Sequence, residues 1–129
     1  MNKIETFEDI VAWQKARVLT KNIYSCTKVG QFARDYGLRD QIQRASVSSM
    51  SNIAEGFEQG GDKEFTQFLS NAKGSCGEVR SHLYVALDQD YVTRVSFDDL
   101  YRQASEVSRL ISGFMTYLRE SELRGSKYR

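Results

Sequence analysis

The sequence predicts an all-α protein, an antiparallel up-down four-helix bundle. Three observations carry that expectation. The 129 residues contain no proline, the residue that most reliably breaks a helix. Apolar residues recur at spacings of three and four through four long segments, the period of a helix buried on one side. The breaks between them, at residues 28–36, 58–62 and 90–96, are short and hold glycine or small polar clusters. At this length one domain can bury its own core without metal or disulfide help. No repeat, low-complexity tract or long linker divides it, so residues 1–129 read as a single domain.

The first helix is expected over residues 7–29. Thr6 and Asp9 form a capping pair, and Ala12, Ala16, Leu19, Ile23 and Cys26 fall on one side. Val11 and Val18 widen the apolar arc on one flank, Trp13 and Tyr24 on the other. That arc exceeds what one contact stripe needs. The second helix is expected over residues 36–57, with Leu38, Ile42, Ala45, Ser49 and Ile53 facing inward. Its centre, residues 45–52, is small and serine-rich, so it depends on packing more than on propensity and admits a close neighbour.

The third helix is expected over residues 62–88 with Asp62 as N-cap and a core line of Phe65, Phe68, Leu69, Ala72, Cys76, Val79, Leu83, Ala86 and Leu87. Its other side is unusual. Ser70, Gly74, Gly77 and Ser81 share one face, although each mid-helix glycine costs up to about 1 kcal/mol relative to alanine. Such a face suits a second helix packed close against it, from this chain or from another copy. The fourth helix is expected over residues 97–119, started by the Ser96/Asp99 pair and lined by Phe97, Leu100, Tyr101, Ala104, Val107, Ile111, Phe114 and Leu118. Residues 120–129 form a polar tail. The extra apolar flanks of the first helix and the small face of the third both point to burial against other copies, hence to a homo-oligomer.

The titratable groups argue against catalysis. There is one histidine, His82, with Glu78 four residues before it; a carboxylate di-iron bundle needs Glu-x-x-His twice. Cys76 and His82 point to different sides of the third helix, so they form no nucleophile pair. Cys26 and Cys76 occupy apolar helical positions and read as small buried hydrophobes in a reducing cytoplasm. No phosphate-binding loop, metal-ligand pattern or cofactor motif is present. The expectation is therefore a non-enzyme with no cofactor, no metal and no small-molecule substrate. No apolar run is long enough to span a bilayer, and the polar N-terminus does not resemble a signal peptide.

Charge geometry offers a binding surface. The net charge is +1, so no global field attracts nucleic acid. Locally, Arg17, Lys21 and Lys28 line the outward side of the first helix with no acid among them, and Arg119, Arg124, Lys127 and Arg129 add bases to the tail. This face is either solvated surface or a weak phosphate contact.

Three stretches carry a resemblance: Phe7-x-x-Ile-x-x-Trp-Gln-Lys-Ala16, the run from Gln41 to Phe57 containing Ser-Asn-Ile-Ala-Glu-Gly, and Lys63-Glu-Phe-x-x-Phe-Leu69 followed by Gly74-Ser75 and Glu78. Together they resemble the four helix bundle family also called the 23S rRNA intervening sequence protein family. The resemblance implies small bacterial proteins, often encoded within inserts in large-subunit ribosomal RNA genes, and assembly as homopentamers. It also implies distant kinship with the accessory protein of diversity-generating retroelements, which binds a reverse transcriptase and nucleic acid. It assigns no functional residues. Where that family usually has proline near position 50 this chain has Met50, which removes the ground for a kink in the second helix. The resulting expectation is a ring-shaped oligomeric scaffold that associates with RNA or a ribonucleoprotein through Arg17, Lys21 and Lys28, with Ser70, Gly74, Gly77 and Ser81 between subunits. The alternative is a protein-protein adaptor that binds no nucleic acid.

Overall fold

The computed structural model describes residues 3–123, and among these the regular elements are helical. Four α-helices run in order: α1 (Val11–Thr27), α2 (Tyr36–Gln59), α3 (Asp62–Asp88) and α4 (Arg94–Leu123). Two 3-10 turns, Phe7–Asp9 and Phe32–Arg34, precede α1 and α2. Each helix packs on the next, and α4 closes back onto α1.

The cross-helix contacts set the directions. Thr20 and Thr27 of α1 meet Ser46 and Gln43 of α2. Ser48 of α2 meets Ser75 of α3, whereas Gly56 lies against Phe65 and Phe68. Phe65 and Tyr84 of α3 meet Phe114 and Tyr101 of α4, and Asn22 of α1 meets Gln103 of α4. In each of the first three pairs, moving forward on one helix moves backward on its neighbour, so consecutive helices are antiparallel.

The helix starts differ from the sequence expectation where a cap competes with a buried side chain. The Thr6/Asp9 pair does form: the N–H groups of Glu5 and Thr6 donate to the Asp9 carboxylate at 2.9 and 3.0 Å. These bonds hold the Asp9 carboxyl below its usual range. They close the short turn alone, however. Ile10 then takes an extended conformation (φ −80°, ψ 118°) to place its side chain in the core, 2% exposed, and α1 begins only at Val11. At α3 the N-cap is Gly61, and Asp62 is the first helical residue. At α4 the Thr93 hydroxyl, not Ser96, accepts from the Ser96 N–H at 3.1 Å, so the helix starts at Arg94. It runs on through Leu123, past the start of the expected tail; residues 124–129 lie outside the described residues.

The turns explain the helix ends. Asp35 caps α2 by accepting from the Leu38 N–H at 3.1 Å. The same carboxylate accepts from the Tyr91 hydroxyl at 2.9 Å, tying the α1–α2 connection to the α3–α4 turn. Phe32, 1% exposed, packs its ring on Tyr91 at 5.3 Å. Gly60, at φ 83°, ends α2 in the left-handed region that favours glycine.

Leu19, Ile23, Ile42, Ile53, Leu69, Val79, Leu83, Val107 and Ile111 are fully buried along one continuous core. The serine-rich centre of α2 sits inside it. Ser46 and Ser49 are buried and donate to carbonyls of their own helix at 2.9 and 2.7 Å. Small side chains thus bring α2 close to both neighbours without stranding a hydroxyl.

Candidate nucleic-acid interface

The expected basic face resolves into a pair and an outlier. Arg17 and Lys21, one turn apart on α1, are exposed opposite the buried Leu19 and Ile23. Lys28 is exposed too, but it is the C-cap residue, with ψ 11° and no helical continuation. Thr27 turns its hydroxyl back to the Ile23 carbonyl at 2.8 Å, and Gly30 at φ 61° carries the chain away. Among the described residues none of the three cations is in an ion pair. Free cations on a rigid helix are what phosphate contact requires.

The structure adds aromatic rings to that face, which charge pattern alone does not reveal. Trp13 is half-buried, held edge-on by Phe7 at 5.1 Å, and the Arg17 guanidinium lies 5.9 Å from its ring centre. Tyr24, 37% exposed, stands one turn beyond Lys21. The flank holding Trp13 and Tyr24 therefore borders the cations rather than being wholly hidden. Their spacing from Arg17 and Lys21, three or four residues, was the available signal.

On α3, Ser70, Gly74 and Ser81 are exposed and Gly77 is half-buried. A side chain at Gly74 would meet nothing within 4 Å, and one at Gly77 only the Arg80 guanidinium at 3.8 Å. Among the described residues, then, no helix of this chain fills that face. The close approach expected of a glycine occurs elsewhere, at Gly56 of α2, where a Cβ would stand 2.7 Å from the Phe68 Cβ.

Glu78 and His82 do share a side of α3, and they line a polar groove of about 350 Å³ with Gln41, Arg44 and Ser48 of α2. One histidine and one carboxylate are too few for a metal centre, and no cluster of three or more metal-type ligands exists among the described residues. Cys76 is buried and Cys26 half-buried; burial pushes both thiols up to about 11, so neither is a nucleophile near neutral pH. A second, apolar groove of about 480 Å³ lies between the start of α1 and the second half of α4, lined by Ile4, Val11, Leu110, Phe114 and Tyr117 among others. No helix among the described residues is long and apolar enough to cross a membrane.

Two comparisons bear on these surfaces. The sequence model of a family described as 23S rRNA-intervening sequence protein matches residues 8–113. The fold is similar to a crystal structure of a protein of unknown function from the S23 ribosomal protein family of Bacteroides thetaiotaomicron. The TM-score is 0.74 at 20% identity, covering 81% of this chain and 97% of that one. None of the curated proteins matches the chain.

Proposed function

The chain belongs to the 23S rRNA-intervening sequence protein family, and from that premise we propose that it is a non-enzymatic, oligomeric RNA-binding protein of the cytoplasm. The binding element of this reading is the outward face of α1. The observation that carries it is the pair Arg17 and Lys21, exposed and outside any ion pair among the described residues, with Trp13 and Tyr24 beside them. Lys28 extends the reach of the face at its end.

A face this small binds weakly alone, since each neutralised phosphate releases only about one counterion. Repetition around a ring makes later contacts intramolecular and raises the avidity on a long polyanion. The ring subunits would meet through Ser70, Gly74, Gly77 and Ser81, where small side chains permit close helix approach; five subunits is the number the family resemblance implies. Two findings favour this reading: the open face of α3 and the family's name, which ties its members to ribosomal RNA inserts.

The apolar groove between α1 and α4 favours a second reading, a protein-protein adaptor. Retention of a structured RNA by wild type and by Arg17→Glu/Lys21→Glu distinguishes the two. Both positions are exposed, so the variant keeps its fold. The RNA reading expects retention by wild type and its loss in the variant. Equal retention, or none at low salt, favours the adaptor.

A further inference from the structure

A second surface, on the far side of the bundle, combines rings and cations in another way. Tyr84 of α3 is 51% exposed. Its ring stands 5.0 Å from Phe97 and 5.7 Å from Tyr101 of α4, and Phe97 is 4% exposed and forms the floor. The neighbouring Tyr101 hydroxyl raises the Tyr84 phenol above its usual range. The exposed ring is therefore supported by ring contacts with Phe97 and Tyr101. Two guanidiniums flank the cluster. Arg80 lies 5.9 Å from the Tyr101 ring centre and Arg94 5.5 Å from that of Phe97. Arg94 also pairs with Asp98 at 3.2 Å, both well exposed; Arg80 is in no ion pair among the described residues.

What sets this cluster apart is an exposed ring with guanidiniums beside the rings that support it. Tyr84 meets Tyr101 edge-to-face at 76°, an arrangement aromatic pairs favour, and half of its surface stays open. Immobilised aromatic faces beside cations are the elements that bind unpaired nucleic-acid strands, with bases stacking on rings and phosphates meeting the cations. A duplex hides its base faces and cannot use such a ring.

We propose that Tyr84, supported by Phe97 and Tyr101 and flanked by Arg80 and Arg94, is a stacking platform for unpaired RNA. The inference rests on the RNA reading above and deepens it. The α1 face contacts phosphates of any RNA, while the Tyr84 platform selects single-stranded segments. Charge complementarity decides the occupant, because Arg80 beside the cluster is outside any ion pair among the described residues, and Arg94 lies beside Phe97 in its pair with Asp98.

The test is fluorescence anisotropy with the intact protein, using a labelled unstructured RNA of about 12 nucleotides and the duplex formed from it. Tyr84→Ala should weaken single-strand binding by between about 5-fold and about 150-fold, the range of one lost base stack, and leave duplex binding as in wild type. Tyr84→Phe keeps the ring and should bind as wild type. Arg80→Gln, which spares the aromatic cluster, should weaken the single strand in the same direction and guards against a folding defect in Tyr84→Ala. Arg17→Glu/Lys21→Glu should weaken both RNAs. Unchanged single-strand affinity in Tyr84→Ala and Arg80→Gln overturns the platform and leaves the α1 reading standing. Loss in those variants with none in Arg17→Glu/Lys21→Glu overturns the α1 reading and leaves the platform. Binding of neither RNA by wild type overturns both.

Discussion

Gly56→Ala and Gly74→Ala place the same methyl on neighbouring helices and should act in opposite directions. In α2 a Cβ at Gly56 would stand 2.7 Å from the Phe68 Cβ and 2.9 Å from the Phe65 Cδ1. Phe65 has little room to retreat: it is 5% exposed, with Phe57 at 6.1 Å and Phe114 at 5.5 Å. Overpacking of this kind costs about 1–3 kcal/mol. In α3 a Cβ at Gly74 meets nothing within 4 Å, so only the helix preference for alanine remains, a gain of about 0.5–1 kcal/mol. That gain applies at both positions and cancels in the comparison. Gly74→Ala should therefore exceed Gly56→Ala in stability by about 1–3 kcal/mol, the overpacking alone. Urea unfolding followed by circular dichroism reads the difference as a shift in midpoint at constant slope, measured where the chain is dissociated. Equal midpoints, or a higher one for Gly56→Ala, would refute the packing argument. Light scattering at higher concentration probes the proposed α3 contact with the same protein. Gly74→Ala should lower the average mass, and an unchanged mass removes Gly74 from the interface.

Leu83 is fully buried, so Leu83→Ala should cost about 2–5 kcal/mol in the same urea experiment; a loss much below this range would contradict the core assignment. Asp35→Ala removes a helix cap and should cost about 1 kcal/mol. Asp35 also accepts from the Tyr91 hydroxyl, which raises the Tyr91 phenol above its ordinary value near 10. The group binds its proton more tightly when folded, so its contribution is present below about pH 10 and is lost as pH rises through the folded pKa. Ultraviolet phenolate titration should show late-ionising tyrosines, Tyr84 and Tyr91; the Tyr91 contribution disappears in Tyr91→Phe and shifts earlier in Asp35→Ala. The thiols of Cys26 and Cys76, pushed up to about 11 by burial, should react slowly with a disulfide reagent at neutral pH until denaturant is added; rapid reaction of both would contradict their packing.

What was legible in the residues was mainly what lies within one helix. The spacing of Phe65, Leu69, Ala72, Cys76, Val79 and Leu83 marks α3 and its inner face, and all six are buried. The exposure of Arg17 and Lys21 follows from their position opposite Leu19 and Ile23. Starts and contacts between helices were harder to read. Thr93 and Ser96 both have the chemistry of a cap, and in the structure the Thr93 hydroxyl takes that role. Ile10 fits a helical pattern, yet it is buried from an extended backbone between the first turn and α1. The groove of Arg44, Glu78 and His82, and the cluster of Tyr84 with Tyr101, each join two helices whose relative register is written in no single segment. Arg17 and Trp13 lie on one helix four residues apart, so their contact is local to α1.

The most direct test of RNA binding through α1 is the salt dependence of affinity for a structured RNA, comparing wild type with Arg17→Glu/Lys21→Glu. Plotting log affinity against log salt counts the phosphates contacted, at about 0.7–0.9 per phosphate. The account predicts a steep slope for wild type, because each subunit of a ring contributes contacts, and a markedly shallower slope with reduced affinity for the variant, in which Lys28 and the Tyr84 platform remain. Superimposable lines for the two proteins would contradict it.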